Sequence, residues 1–270
     1  MSQFVFLCSV VICGVILTVI FFSPIDRSEF IIAESLDIHI DKSIQLEKVS
    51  EKKALYIYKR KHWLFLQKIK KMLHSSKNRR ATVFYSMKKV KNFTASAPGT
   101  DYNHHIVNSY LVGYIPFRTN NIWIPWLTLA KKKTYQTDMM THQGRNDVWQ
   151  TSRQSYKYTR GDCEDHAISL ADWLIGMGHD ARVVIGMYKG GGHAWVVLLK
   201  DGKEYLLEAT RKSGIKKMGK FPLAKHQDGY RPMYMFNRTQ FWQNTGSSLT
   251  VNYTSAKWKR KSKYILGRTI

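Results

Sequence analysis

Hydrophobic positions change period twice between Asp162 and Glu208, and the changes outline a small unit of structure. Ala167, Leu170, Ala171 and Leu174 recur at i, i+3, i+4 and i+7, the spacing of one apolar stripe on an α-helix. Asp162 stands where the N-cap of that helix belongs, and Asp165 follows three residues later, a capping box with Asp in place of Glu or Gln. Gly176 and Gly178 mark its end. The period then drops to that of strands: Arg182 to Gly186, a triple glycine from 190 to 192, and His193 to Leu199. Asp201-Gly202 is a two-residue hairpin signal, and Glu204 to Glu208 is the returning strand. The predicted order is helix, strand, strand, strand.

Two other stretches carry a pattern. Phe4 to Phe22 is an apolar run of 19 residues without a charge, and about 20 residues at 1.5 Å rise cross a bilayer. No small-x-small cleavage site follows Phe22, so the run reads as an uncleaved signal-anchor rather than a cleaved signal peptide. Leu55, Tyr58, Phe65, Ile69 and Met72 fall at helical spacing among Lys59, Arg60, Lys61, Lys68, Lys70 and Lys71. This predicts a basic amphipathic helix, with its charges either solvated or laid on an anionic membrane surface.

Charge divides the chain. Lys and Arg number 43 against 19 Asp and Glu in 270 residues, a formal charge of +24. Residues 26–51 hold seven acids and read as a stalk. Residues 52–100 carry fourteen basic side chains and no acid, and residues 231–270 carry eight and none, whereas nine of the acids lie in residues 147–210. The excess therefore belongs to the flanks of the patterned segment. No nucleic-acid-binding motif accompanies it, so charge alone supports nucleic acid only weakly and nucleic acid is not expected as a partner. With aromatics at 13% and Gly and Pro at 17 and 6 residues, disordered and collagen-like chains are excluded.

Chemistry centres on Cys163, the one cysteine outside the apolar run. As the first residue of the predicted helix it sits among unpaired backbone N–H groups at the positive end of the macrodipole, which favours a thiolate. Asp162, Glu164 and Asp165 oppose ionisation, so a thiolate there needs a cationic partner, an imidazolium above all. If Lys200 pairs with Lys203 across Asp201-Gly202, Trp195 faces Glu208 and His193 lies diagonally across from Glu208 on one sheet face. Glu208 can then hold one imidazole nitrogen while the other faces Cys163, an arrangement of nucleophile, base and orienting acid.

These residues resemble the transglutaminase-like superfamily, a branch of the papain-like thiol enzymes, and within it bacterial transglutaminase-like cysteine proteinases. The resemblance lies in Trp149-Gln150-Thr151, Gly161-Asp162-Cys163-Glu164-Asp165-His166-Ala167, Gly192-His193-Ala194-Trp195-Val196 and Tyr205-Leu206-Leu207-Glu208-Ala209-Thr210. It implies an α+β fold with a papain/transglutaminase-like core, a nucleophile helix packed on an antiparallel sheet, to which the sequence adds an N-terminal transmembrane helix. It also implies Cys163 as nucleophile, His193 as base and Glu208 as the acid, where the family usually has Asp followed by Pro. Trp149 or Gln150 would lie at the oxyanion site. No cofactor is required by this chemistry, although Asp162, Glu164 and Asp165 offer hard oxygen ligands for calcium; Asp162 and Asp165 are equally explained as helix caps.

The expected organisation is a signal-anchor over residues 1–25, an acidic stalk over 26–51, a basic helical region over 52–100, a catalytic domain over 101–246 and a basic tail over 247–270. The expected function is a single-pass membrane protein, its catalytic part on the periplasmic or extracellular side, that cleaves peptide or side-chain amides of a protein or peptide substrate through a thioester. An amine acceptor instead of water would make it a transglutaminase. A silent module holding an anionic membrane or polymer through the basic flanks is the alternative from another class.

Overall fold

A computed structural model describes residues 53–212 and 221–265. Its first half carries strands β1 (Ala54–Ile57) and β2 (His62–Phe65), helix α1 (Leu66–His74), strands β3 (Val83–Met87), β4 (Val90–Pro98) and β5 (His104–Ile106), helix α2 (Trp123–Lys132), strand β6 (Thr134–Tyr135) and the one-turn helix α3 (Asp138–Thr141). There follow α4 (Ser152–Lys157), β7 (Arg160–Gly161), α5 (Cys163–Gly176), β8 (Asp180–Tyr188), β9 (Gly191–Lys200), β10 (Lys203–Leu207), β11 (Tyr230–Phe236), β12 (Gln240–Asn244) and β13 (Trp258–Ile265). The class is α+β, and the helix-then-three-strands order of the central segment is the one its periodicity predicts.

Eight strands make one antiparallel sheet in the order β10-β9-β8-β11-β12-β13-β1-β2. Both predicted turns of the central hairpins have the geometry that suits the twist of antiparallel strands: Asp201 and Gly202 take φ of 52° and 67°, and Lys189 and Gly190 take 49° and 88°. Lys200 pairs with Lys203, as the Asp-Gly signal requires. Of the three glycines, only Gly190 belongs to the turn; Gly191 and Gly192 begin β9.

Helix α5 packs against β8 and β9. It carries more than one apolar stripe: every residue from Glu164 to Leu174 is buried, as expected of a helix enclosed on several sides. Its buried polar residues therefore need partners. Asp172 has four: the backbone N–H groups of Gly113 (2.8 Å) and Tyr114 (2.9 Å), the hydroxyl of Ser152 (2.5 Å) and the guanidinium of Arg238 (2.5 Å). The predicted capping box is absent. Asp162 is the N-cap residue but its side chain makes no cap bond, and Asp165 instead accepts from the backbone N–H of Gln150 at 2.8 Å. A complete box forms one helix earlier, at Thr151 and Gln154 of α4.

The basic region 52–100 is mostly strand, not helix. Leu55 and Ile57 are buried at period two, Lys61 turns the chain in the left-handed region at φ 48°, and Leu64 is buried on the return. The helical spacing of Leu55, Tyr58 and Phe65 is thus coincidental; among the described residues the only α-helix there is α1, beside a single 3-10 turn at Tyr58–Arg60. Its Ile69 is buried, and Met72 and Leu73 pack on the cluster of Leu55, Ile57, Phe93 and Ile106. The apolar face of α1 is spent on the protein's own core rather than left for a membrane surface. The basic tail is likewise not a tail: Trp258, Ser262 and Tyr264 of β13 are buried, and the strand lies between β12 and β1. The boundary drawn at 100/101 falls between β4 and β5 of a separate three-stranded sheet, and the one at 246/247 between β12 and β13 of the large sheet. The apolar run Phe4–Phe22 and the acidic stalk lie outside the described residues, among which no helix is long and apolar enough to cross a membrane.

Candidate active site

The site is built where the start of α5 meets β9 and the end of β10. Gly161 of β7 brings the chain to that point, paired in parallel with Tyr135 of β6. Gly161 packs on Asp165 so closely that a Cβ there would lie 2.5 Å from Asp165 Oδ2, so the residue before Asp162-Cys163 must be glycine for the turn to close. Cys163 is then the first helical residue, partly exposed, with its thiol donating to Glu164 Oε2 at 3.3 Å.

His193 sits on β9 directly opposite Gly186 of β8. A Cβ at Gly186 would meet the Arg231 carbonyl oxygen at 2.2 Å and the Trp195 ring at 2.8 Å, so glycine lets β11 and Trp195 close against the strand that carries the histidine. The His193 side chain is 14% exposed, and its Nε2 meets Glu208 Oε2 at 2.9 Å, the diagonal contact predicted from the hairpin register. Burial alone would make the imidazole less basic, but hydrogen bonding to Cys163 and Glu208 and their negative charge raise its pKa to about 10. Since Nε2 faces Glu208, Nδ1 is the nitrogen left for the sulfur.

Glu208 is held by more than the histidine. Tyr230 of β11 donates to Oε2 at 2.7 Å, and Thr210 donates its backbone N–H (3.1 Å) and hydroxyl (2.7 Å) to Oε1. The Trp126 indole fixes the Glu208 carbonyl at 2.9 Å. Burial works to raise the carboxyl pKa, and these donors together with the His193 charge bring it below the usual glutamate value. Tyr188 and Trp195 lie 5.5 and 6.1 Å from the imidazole ring, centre to centre. Tyr230, which shields and orients the pair, carries no signal in the sequence.

Trp149 and Gln150 do not face the sulfur as donors. The Trp149 indole donates to Asp147 Oδ1 at 2.8 Å and the Gln150 amide to the Arg160 carbonyl at 3.3 Å; both residues are buried. They brace the approach to α5, because the Trp149 N–H bonds Pro98 and the Gln150 N–H bonds Asp165. Tyr135 of β6 lies within electrostatic reach of Cys163. It is 48% exposed; partial burial and the nearby negative charge of Cys163, Asp162 and Glu164 push its phenol up to about 12.

The acids beside the nucleophile form a wider cluster than the helix start alone supplies. Ligand atoms of Asp138, Asp162 and Asp165 lie within 4.8 Å of one another, as do those of Asp138, Asp147 and Glu164. Asp138 Oδ1, Asp162 Oδ1 and Asp165 Oδ2 are buried without a hydrogen-bond partner among the described residues. Burial and mutual repulsion raise all three carboxyls, Asp138 to about 8, and raise Glu164 well above its ordinary value. Converging carboxylates with orphaned, buried oxygens fit a hard cation.

Residues 147–265 match the family described as the CEP76 peptidase-like domain, a range that contains the whole of the segment from Trp149 to Thr210. The mouse (Mus musculus) centrosomal protein of 76 kDa is 42% identical over 55 residues, 20% of this chain and 8% of that protein. The chain therefore spans only a small fraction of the curated relative it matches. Among solved structures, Legionella pneumophila LapG is similar at a TM-score of 0.38 and 18% identity, covering 54% of this chain and 78% of LapG. Its calcium-bound form gives the same TM-score and identity over 56% and 81%.

Proposed function

We propose that the chain is a thiol enzyme of the transglutaminase-like superfamily that hydrolyses amide bonds in a protein or peptide substrate, with Cys163 as nucleophile, His193 as acid and base, and Glu208 as the orienting acid. The observation that carries this reading is the 2.9 Å contact of Glu208 with Nε2 of His193, which leaves Nδ1 for a sulfur whose charge, with that of Glu208, makes the imidazole more basic. An imidazolium that persists to about pH 10 supplies the positive charge that a sulfur among Asp162, Glu164 and Asp165 requires.

In the reaction, the Cys163 sulfur attacks the amide carbonyl and forms a C–S bond. The oxyanion is met by backbone N–H groups of the first turn of α5 rather than by Trp149 or Gln150. His193 passes its proton to the leaving nitrogen as the C–N bond breaks, leaving a thioester. The neutral imidazole then takes a proton from water, whose oxygen attacks the thioester and releases Cys163 and a carboxylic acid. Glu208, fixed by Tyr230 and Thr210, keeps the imidazole in one orientation through both steps.

Calcium is the cation the acidic cluster fits best by donor chemistry, with Asp138, Asp162 and Asp165 as its holders and Asp147 and Glu164 within reach. When bound it supplies positive charge that offsets the carboxylates around Cys163. Anchoring by Phe4–Phe22 belongs to the same reading and rests on the apolar run, whereas placing the enzyme outside the cytoplasm rests on the thiol-enzyme domain itself.

The test is the rate of Cys163 alkylation by iodoacetamide at neutral pH, read by mass spectrometry. The expected result is alkylation faster than that of a free thiol and slowed by His193→Ala. A rate no faster than a free thiol, unchanged in the variant, overturns the proposal. Incubation of active enzyme with a peptide library and an added primary amine then separates hydrolysis from transamidation by product mass.

A further inference from the structure

The β13–β1–β2 end of the large sheet, three to five strands from β8, carries a feature the enzyme reading does not use. Tyr56 pairs directly with Lys263 on one side and with Trp63 on the other. Paired residues share a face, so these three side chains stand in a row across three strands. The opposite face of the same strands, with Leu55, Ile57, Leu64 and Tyr264, is packed into the core. Tyr56, Tyr58 and Trp63 are half-buried, and Lys263 and Arg260 are exposed.

The rings are held in place rather than loose. Tyr56 lies 4.9 Å from Trp63 and 5.3 Å from Tyr58, centre to centre. The Tyr58 hydroxyl donates to Gln240 Oε1 at 2.9 Å, and the Arg260 guanidinium lies over the Tyr58 ring at 5.2 Å. The two sequence stretches that build this face, 52–100 and 231–270, contain no acid. Positive charge alone supports nucleic acid only weakly; the cross-strand register adds aromatic rings beside the cations on one sheet face, Tyr56 tilted 49° to Trp63 and edge-on to Tyr58.

We infer that this face is a binding platform for single-stranded nucleic acid, whose bases stack on Tyr56 and Trp63 while Lys263 and Arg260 meet the phosphates. Two features of the ligand are required at once: a flat π-surface to cover half-exposed rings, and negative charge in register with the cations. Single strands offer both; a duplex keeps its bases stacked inside. An anionic bilayer would also attract the charge and take up Phe65, 54% exposed on the strand of Trp63, but it offers no π-surface to Tyr56 and Trp63. The row lies away from β9 and β10, so binding there is independent of the Cys163 chemistry.

The experiment uses the full chain and a fluorescein-labelled oligothymidylate 20-mer, with binding read by anisotropy across a salt series. The expected result is binding that weakens steeply with salt, competed by unlabelled single strands and poorly by duplex DNA or by phosphatidylserine vesicles. Tyr56→Ala and Trp63→Ala should each weaken it about ten-fold, within the range one stacked base supplies, with the Cys163 alkylation rate unchanged. Lys263→Gln and Arg260→Gln, both at exposed positions, should lower the salt slope and keep the inference testable if an aromatic variant does not fold. No binding at low salt, equal competition by duplex or vesicles, or wild-type affinity in the folded aromatic variants or in both charge variants overturns it.

Discussion

Tyr230 and His193 share one acceptor: both donate to Oε2 of Glu208, at 2.7 and 2.9 Å. The tyrosine arrives from β11, on the far side of β8 from the histidine strand. It holds the carboxylate in its ionised form, which is the form that orients an imidazolium. In Tyr230→Phe the carboxylate loses a donor and becomes more basic. Since a hydrogen bond to a charged group contributes roughly 1.5–3 kcal/mol, the Cys163 alkylation rate at pH 7 should fall at least several-fold. The acid limb of its pH profile should move to higher pH. An unshifted limb would show that Tyr230 only packs.

The Cys163–His193–Glu208 contacts also make folding stability depend on pH. His193 is more basic in the folded protein, at about 10, than its ordinary 6.5, so its contribution is complete below about pH 6.5 and fades as pH rises toward 10. Glu208 is displaced in the acid direction, so its contribution is complete above the ordinary glutamate value and is lost as pH falls through the folded one. Urea unfolding of wild type and His193→Gln should therefore differ most near pH 5–6.5 and converge toward pH 10.

Calcium should stabilise the protein, and more so in alkali. Asp138 keeps its proton up to about pH 8, and a cation must displace that proton to bind. Thermal unfolding in millimolar calcium should show a higher Tm than in EGTA, with the gain larger at pH 8.5 than at pH 6. A concentration a hundred times Kd corresponds to about 2.7 kcal/mol. Asp162→Asn and Asp138→Asn should each abolish most of the gain.

Arg238→Ala removes the cation that, among the described residues, pairs with fully buried Asp172. Its carboxylate retains Gly113, Tyr114 and Ser152 as donors, so the loss should fall at the lower end of that for breaking a buried ion pair, about 3 kcal/mol. Urea denaturation would measure it. Asp172 sits on α5 well beyond Cys163, so alkylation of the folded variant should stay near the wild-type rate.

The central segment was legible because its cues are local. Asp201-Gly202 sets the register of β9 and β10 within four residues, and that register alone brings His193 to Glu208. Tyr230 could not be read the same way, since its place depends on β8–β11 pairing, which shifts register between Pro232 and Tyr234. Asp138 and Asp147 reach the acidic cluster through loops whose path no periodicity encodes. In β1 the positions Leu55, Tyr58 and Phe65 satisfy a helical template while Leu55 and Ile57 satisfy a strand, and tertiary pairing with β13 decides between them. The buried Trp258, Ser262 and Tyr264 of β13 were hidden among exposed Lys259, Arg260 and Lys263, so charge masked a strand pattern.

The seat of β13 between β12 and β1 also orders events in time. Ala54 pairs with Ile265, a contact between residues more than two hundred positions apart, and closing so long a loop is entropically costly and slow. During synthesis the β1–β2 hairpin emerges early but finds its sheet neighbour only after residue 265 has left the ribosome. The candidate active-site strands, β8 to β10, join through short turns and can assemble before then. The aromatic and basic face is consequently the last part of the sheet to be completed, and a chain stalled short of β13 would expose its unpaired strand edges.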